Sequence, residues 1–287
     1  MNRTDSATGC RVLLKVAVAA FAAVGYGQVA AQDGGDALQA MRKAGVAKIA
    51  IASVPRYAFL APDGQPQGYL VEISQRAIQA LGVPKVEATV TTFDAMIPGL
   101  QARQFDFVPA GMNITAARCQ AVAFSAPVTA QHDGLYTAPS NPKKLSGYKS
   151  VAETADALLA VLAGSNQEAY ALSVGIKPAQ LVKVPDVQAG IAAVTGGRAH
   201  AFVLSQFSIP NPNEKGLALV VDTASPLLGI GIAFRKDAAA LRDAFNKQLE
   251  VLRANGTMKE LYAKYGFSNW DTLAKVTKTT DVVPNCD

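Results

Sequence analysis

From Val46 onward the chain alternates short apolar, β-rich runs with segments whose apolar residues fall at helical spacing. That alternation confines it to α/β units built around a largely parallel sheet. Residues 46–53 are predicted as the first strand. Leu70, Ile73, Ala77, Ile78 and Leu81 then line one helical face and stop at Gly82, Val83 and Pro84, which is an amphipathic helix with a glycine terminator. A second strand is predicted at 86–90, where Val86, Ala88 and Val90 alternate with polar residues. Met96, Ile97 and Leu100 mark a further helix, in which Pro98 is tolerated only near the first turn. Residues 105–108 are predicted as a third strand.

A second block begins after Pro139. Residues 140–149 have the Ser, Pro, Gly and Lys content of a loop, and the alternation then restarts. The predicted elements are a strand at 157–162, a helix through Tyr170, a strand at 181–184, a helix to Gly196 and a strand at 201–204. Residues 229–234 form another strand, and Leu241, Phe245, Leu249 and Leu252 stripe a helix that ends at Asn255 and Gly256. An apolar stripe of this kind needs a partner surface, so the second block is expected to be inserted into the first. The chain has no internal repeat, and its tail after Trp270 is polar and poorly patterned.

The N-terminus bears on compartment. Arg3, Arg11 and Lys15 precede an apolar run at 16–24, and Val29 with Ala31 supplies small residues for a signal peptidase. A signal peptide at 1–31 and export to the periplasm are expected; the run is too short for the roughly 20 residues of a spanning helix. Cys10 precedes the apolar run and so does not fit a lipoprotein acylation site. Of the 256 residues that remain, 24 are basic and 21 acidic, without a Lys/Arg run or an aromatic-studded basic stretch. Nucleic acid is therefore not an expected partner. Two histidines, His132 and His200, exclude a zinc site built on histidine spacing, and neither metal nor cofactor is expected. Only Cys119 and Cys286 remain after cleavage, and such a pair in an exported protein is more readily a disulfide than a metal site or a nucleophile.

The block from Gly111 to Cys119, GMNITAARC, followed by VAFSAPV from Val122, resembles family 3 of the bacterial solute-binding proteins. GYLVEI from Gly68, FDAMIPGLQARQFD from Phe93, GSNQEAY from Gly164 and GRAHAF from Gly197 extend the likeness over Lys48 to Phe267. The resemblance implies a two-lobed α/β fold of the type II periplasmic-binding (Venus-flytrap) architecture. The first lobe would comprise 32–130 plus 228–287 and the second 138–218, with hinge crossovers at 131–137 and 219–227. Its implied work is to capture a small solute between the lobes, close over it, and deliver it, as a monomer, to the membrane permease of an ABC transporter.

Within the family the chain is most similar to ectoine- and hydroxyectoine-binding proteins, through GM-x-IT-x-x-RC, the string at Pro185 to Gly190, and a C-terminal cysteine. That likeness implies a bond between Cys119 and Cys286. It makes Arg118 the group that grips a ligand carboxylate, a task suited to its fork of paired donors. Tyr57 and Phe93 match positions of aromatic rings that face a delocalised or alkylated cation. Gly111, Asn113, Thr115, Ser165 and Asn166 complete the implied site; Asn166 fits both a helix N-cap and a donor to an anionic group. The chain departs from the pattern where Asn113 stands for a third ring, Val54 for an acid after the first strand, and Ser205 for the aspartate that holds an α-ammonium in amino-acid binders. A buried ammonium without a carboxylate is costly, which disfavours an ordinary amino acid unless another acid substitutes.

The expected ligand is thus a small zwitterion, ectoine-like or betaine-like, with a polar amino acid as the alternative. A periplasmic dehydratase of the cyclohexadienyl type on the same fold would instead need Glu72 or Glu168 as a general acid in the cleft. Both carboxylates are better suited to solvated or helix-dipole roles, and His132 to a polar hinge position.

Overall fold

The structure is a computed structural model that describes residues 34–286, so the expected signal peptide at 1–31 lies outside the described residues. Helix α1 (Gly34–Ala44) leads into β1 (Val46–Ile51). A hairpin of β2 (Phe59–Leu60) and β3 (Pro66–Gln67) precedes α2 (Tyr69–Ala80), and β4 (Lys85–Val90) returns to pair in parallel with β1. The face of α2 read from its periodicity is the one it buries, Leu70, Ile73, Ala77 and Ile78 all being inaccessible. Each large apolar side chain buried in this way stabilises the fold by roughly 1.5–3 kcal/mol. Next come α3 (Phe93–Gln101), α4 (Ala116–Ala121) and the short strands β5 (Ala123–Phe124) and β6 (Thr129–Gln131).

A second set of elements follows without a break. These are β7 (Asp133–Thr137), α5 (Tyr148–Glu153), β8 (Leu159–Leu162), α6 (Asn166–Ser173), β9 (Leu181–Val184), α7 (Val187–Thr195), β10 (Ala201–Ser205) and β11 (Ala218–Val221). They form one five-stranded sheet in the order β11-β7-β10-β8-β9, with β8 parallel to β9 and β10, and β7 antiparallel to β10 and β11. Successive side chains of its central strands sort to opposite faces: Leu159, Val161, Ala201 and Val203 pack against Tyr148 and Val151 of α5, while Phe202 and Leu204 join the other core with Val187 of α7. A strand covered on both faces has to be apolar throughout, and LAVL and AFVL are.

The chain then returns. β12 (Leu228–Ile230) pairs antiparallel with β6, and β13 (Ala233–Phe234) with β5. Helix α8 (Ala239–Ala254) buries Leu241, Phe245 and Leu249, with the Phe245 ring 5.8 Å from Phe107 and 5.3 Å from Phe234. Its stripe thus finds its partner surface on elements that precede β7, together with β13. Helices α9 (Thr257–Lys264) and α10 (Trp270–Ala274) close the fold, and Cys286 is joined to Cys119 at the second residue before the helix end of α4, which ties the tail back to the first set.

Several elements differ from the sequence expectation, each for a local reason. Residues 105–108 form no strand: Phe107 and Val108 make single bridges to Ile49 and Ala233. Asp106 interrupts the ladder there, because its carboxylate rather than a strand carbonyl accepts the Lys48 N–H, at 2.7 Å. The strand expected at 229–234 is split between β12 and β13 at Gly231 and Ile232, where the Ser125 hydroxyl accepts the Ile232 N–H at 2.9 Å. Pro98 lies in the second turn of α3 rather than the first. The carbonyl it leaves without an N–H partner, that of Asp94, belongs to an exposed residue, so water can serve it. The segments expected as crossovers are in part strand, residues 133–137 being β7 and 218–221 β11.

Candidate ligand-binding site

A small cavity of about 30 Å³ lies between the two sets of elements. From the first set, Val54, Tyr57, Phe93, Ala110, Gly111, Asn113 and Arg118 face it; from the second, Leu162, Ser165, Asn166, Gln167, Leu204, Ser205 and Ser208, with Ile230 at the return.

The local structure explains how each side chain is held. Tyr57 is 1% exposed; its hydroxyl donates to Gln131 Oε1 at 2.6 Å and its ring meets the edge of Phe267 at 5.1 Å, which fixes the ring at the cavity wall. Phe93 is the first residue of α3 and half-buried. Gly111 takes φ +81°, so the backbone passes beneath Tyr57 in the left-handed region. Thr115 does not line the cavity: as N-cap of α4 its hydroxyl accepts the Arg118 N–H at 3.3 Å and so orients the residue that does. Arg118 donates from Nη1 to the Asn113 carbonyl at 3.0 Å and from Nη2 to the Gly164 carbonyl at 3.2 Å.

Across the cavity, Ser165 is the N-cap of α6 and accepts the Glu168 N–H at 3.1 Å, which makes Asn166 the first helical residue instead of the cap. The freed Asn166 side chain accepts from Asn113 Nδ2 at 2.8 Å. Together with the Arg118 bond to Gly164, this contact fastens the first set of elements to the second. Gly164 permits the approach, since its φ is +72° and a Cβ there would stand 2.7 Å from Asp94 Cβ.

The electrostatics are one-sided. Arg118 is the one charged residue in the lining, and burial pushes its pKa down to about 10, so it stays charged at neutral pH. Among the described residues no carboxylate pairs with it. Asn113 Oδ1 is likewise buried without a partner. Such groups are what a carboxylate and an N–H donor would satisfy.

The sequence-selected residues Tyr57, Phe93, Gly111, Asn113, Arg118, Ser165, Asn166 and Ser205 therefore meet at one cavity, with Thr115 behind it. Gln167 was not among them, although it follows Asn166 directly and is a polar residue on the first turn of α6, the signal that could have found it. Glu72 and Glu168 lie outside the lining. Glu72 binds Lys264 at 2.6 Å and Arg76 at 3.0 Å; Glu168 binds Lys183 at 2.6 Å and accepts the Gly164 N–H at 2.8 Å. His132 is also outside it, its Nδ1 2.8 Å from the Ser225 carbonyl. Among the described residues no group of three or more His, Cys, Asp or Glu could hold a metal ion.

Comparison with known proteins identifies the family and the fold. The sequence profile of the bacterial extracellular solute-binding proteins, family 3, matches residues 48–269. A probable amino-acid ABC transporter periplasmic-binding protein of Sinorhizobium fredii is 29% identical over 254 residues, covering 85% of this chain and 84% of its own. The lysine/arginine/ornithine-binding periplasmic protein of Escherichia coli is 30% identical over 69% of this chain and 78% of its own. Among solved structures, EhuB in complex with hydroxyectoine superposes with a TM-score of 0.82 at 31% identity, covering 88% of this chain and 98% of that one.

Proposed function

The chain belongs to the bacterial extracellular solute-binding proteins, family 3, and is the solute-binding component of an ABC importer; we propose that its ligand is a small zwitterion with a delocalised or alkylated cation, of the ectoine type. The observation that carries this reading is Arg118, a half-buried guanidinium that lines the cavity without a carboxylate of its own, in a lining that also holds Tyr57 and Phe93. The guanidinium takes the ligand carboxylate and the ring faces take the cation, at roughly 0.5–2 kcal/mol each. EhuB, a similar structure, holds hydroxyectoine.

Binding works by closure. The links between the two sets of elements are His132 and residues 222–227, and they are tied to each other, His132 Nδ1 lying 2.8 Å from the Ser225 carbonyl; beside them Asp222 N–H donates to the Asp133 carbonyl at 2.9 Å. We place the hinge there, between lobes comprising 34–131 plus 228–286 and 133–221. A ligand that touches Arg118 on one side and Ser165 to Gln167 on the other favours the closed form through contacts the open form lacks. The closed monomer is what the membrane permease reads, in the periplasm once the signal peptide has been cut.

A polar amino acid is the second reading, favoured by the lysine/arginine/ornithine-binding relative. Its α-ammonium would meet Ser205, not an acid. A dehydratase reaction has no general acid here, since Glu72 and Glu168 are engaged away from the cavity. Calorimetry with ectoine, hydroxyectoine, glycine betaine, arginine and lysine tests the proposal. Ectoines or betaine should bind more tightly than either amino acid; micromolar binding of arginine or lysine with no response to the others would refute it.

A further inference from the structure

Val54 stands where the ectoine-type pattern has an acid, and Ser205 where amino-acid binders have the aspartate that holds an α-ammonium. An acid nevertheless lies one layer behind the lining. Asp133, the first residue of β7, is 1% exposed and is the cross-strand partner of Ser205, so their side chains share one face of the sheet. Asp133 Oδ1 accepts from Gln167 Nε2 at 2.7 Å, and Oδ2 accepts from the Tyr148 hydroxyl at 2.8 Å. Neither Asp133 nor its buried neighbour Asp222 forms an ion pair with a Lys, Arg or His among the described residues. An acid thus sits beneath the second-lobe wall while the positive charge of Arg118 stands in the first; burial and the nearby Asp222 push the Asp133 carboxyl up, against the hydrogen bonds from Gln167 and Tyr148.

The contact with Gln167 has a consequence for the cavity. In this contact the amide nitrogen of Gln167 faces Asp133, and the amide oxygen is the polar atom left to the cavity that Gln167 lines. On the other wall, Asn113 is 4% exposed; its nitrogen is engaged by Asn166 and its oxygen has no partner. Two amide oxygens, one from each lobe, are therefore available to donors, and one of them is buried at a cost that only an N–H or O–H donor removes.

We propose that Asp133 is the positioning residue that sets cation specificity: by orienting Gln167 it presents, with Asn113 Oδ1, a pair of acceptors that take a cation bearing N–H groups, such as an amidinium, over a fully alkylated quaternary ammonium. This rests on the zwitterion reading above and narrows it. A quaternary ammonium cannot donate, so it leaves the Asn113 oxygen unpaired, whereas an amidinium offers two N–H donors and a planar charge to the acceptor pair.

The test is calorimetry on the mature protein with ectoine, whose ring carries N–H groups on a delocalised cation, against glycine betaine, whose cation carries none. The wild type should favour ectoine by about 100-fold, from one or two buried hydrogen bonds to a charged donor. Asp133→Asn allows Gln167 to turn, since an asparagine nitrogen can donate to the Gln167 oxygen. It should weaken ectoine by about 10-fold while changing glycine betaine by less than about threefold. Gln167→Met removes the acceptor and leaves Asp133 in place; it should show the same collapse of the ratio, and it carries the test if Asp133→Asn fails to fold. Equal weakening of both ligands in folded variants means a merely structural role and overturns the proposal, as does an unchanged ratio. If ectoine binds in an Arg118-dependent way but the ratio does not respond, this inference alone fails. If neither zwitterion binds the wild type, the zwitterion reading fails and takes this one with it.

Discussion

Replacing Arg118 by alanine is the perturbation that bears most directly on the site. The guanidinium spends one Nη1 and one Nη2 donor on the carbonyls of Asn113 and Gly164, and its remaining N–H groups are left for a carboxylate. Truncation removes at least one charge-assisted hydrogen bond to the ligand, worth about 1.5–3 kcal/mol, and leaves the carboxylate in a lining with no other charge. The net loss should be at least about 2–3 kcal/mol, or roughly 30- to 150-fold in Kd. Arg118→Lys should recover part of it, because an ammonium restores the charge without the fork. Folding should be little affected, since the substitution also relieves the cost of a desolvated cation, and melting of the apo-protein checks this. Calorimetry with ectoine is the direct assay, with the wild type and both variants measured in one buffer. A folded Arg118→Ala protein whose Kd lies within threefold of wild type would show that the carboxylate is held elsewhere, and the orientation assigned to the ligand would have to be reversed or abandoned.

The Cys119–Cys286 bond closes a loop of 167 residues, for which chain entropy gives a stabilisation of about 5 kcal/mol as an upper figure; reduction should lower Tm, and non-reducing peptide mapping should find the two cysteines in one linked pair. Gly164→Ala puts a Cβ 2.7 Å from Asp94 where the lobes meet, so it should weaken ligand binding more than it lowers the Tm of the apo-protein, by calorimetry against thermal melting. Burial pushes the Glu72 carboxyl up, but hydrogen bonds from Lys264, Arg76 and Tyr265 outweigh it and hold the pKa below the usual range. The resulting stabilisation is present above the unfolded value of about 4.3 and is lost as pH falls through the lower folded value, so Glu72→Gln should be less stable than wild type at neutral pH and converge with it in acid, by denaturant melts.

What the sequence made legible is what local pattern controls. Helix α2 was readable because one face of it carries Leu70, Ile73, Ala77 and Ile78 at a period no strand can use. The sheet of the second lobe was readable because strands buried on both faces have to be continuous apolar runs. Where a side chain replaces a backbone partner the pattern misleads: Phe105 to Val108 has the composition of a strand, yet the Asp106 carboxylate takes the bond that a strand carbonyl would have taken. The tail after Trp270 shows little pattern, and a covalent bond rather than periodicity holds its end.

The site divides along the same line. Arg118, Tyr57 and Asn166 sit in strings whose order along the chain identifies them, but Asp133 has no such string and lies in what reads as a crossover. Its link to the cavity depends on the register that sets Asp133 opposite Ser205 and on the first turn of α6 that brings Gln167 over both. Neither relation is local in sequence, since 72 residues separate the cross-strand pair and 34 separate Asp133 from Gln167. An acid missing from the cavity wall at Ser205 is therefore offset by one that the antiparallel pairing of β7 with β10 places beneath the same wall. An acid moved back by one layer acts through an amide rather than by direct contact, so it selects for N–H donors.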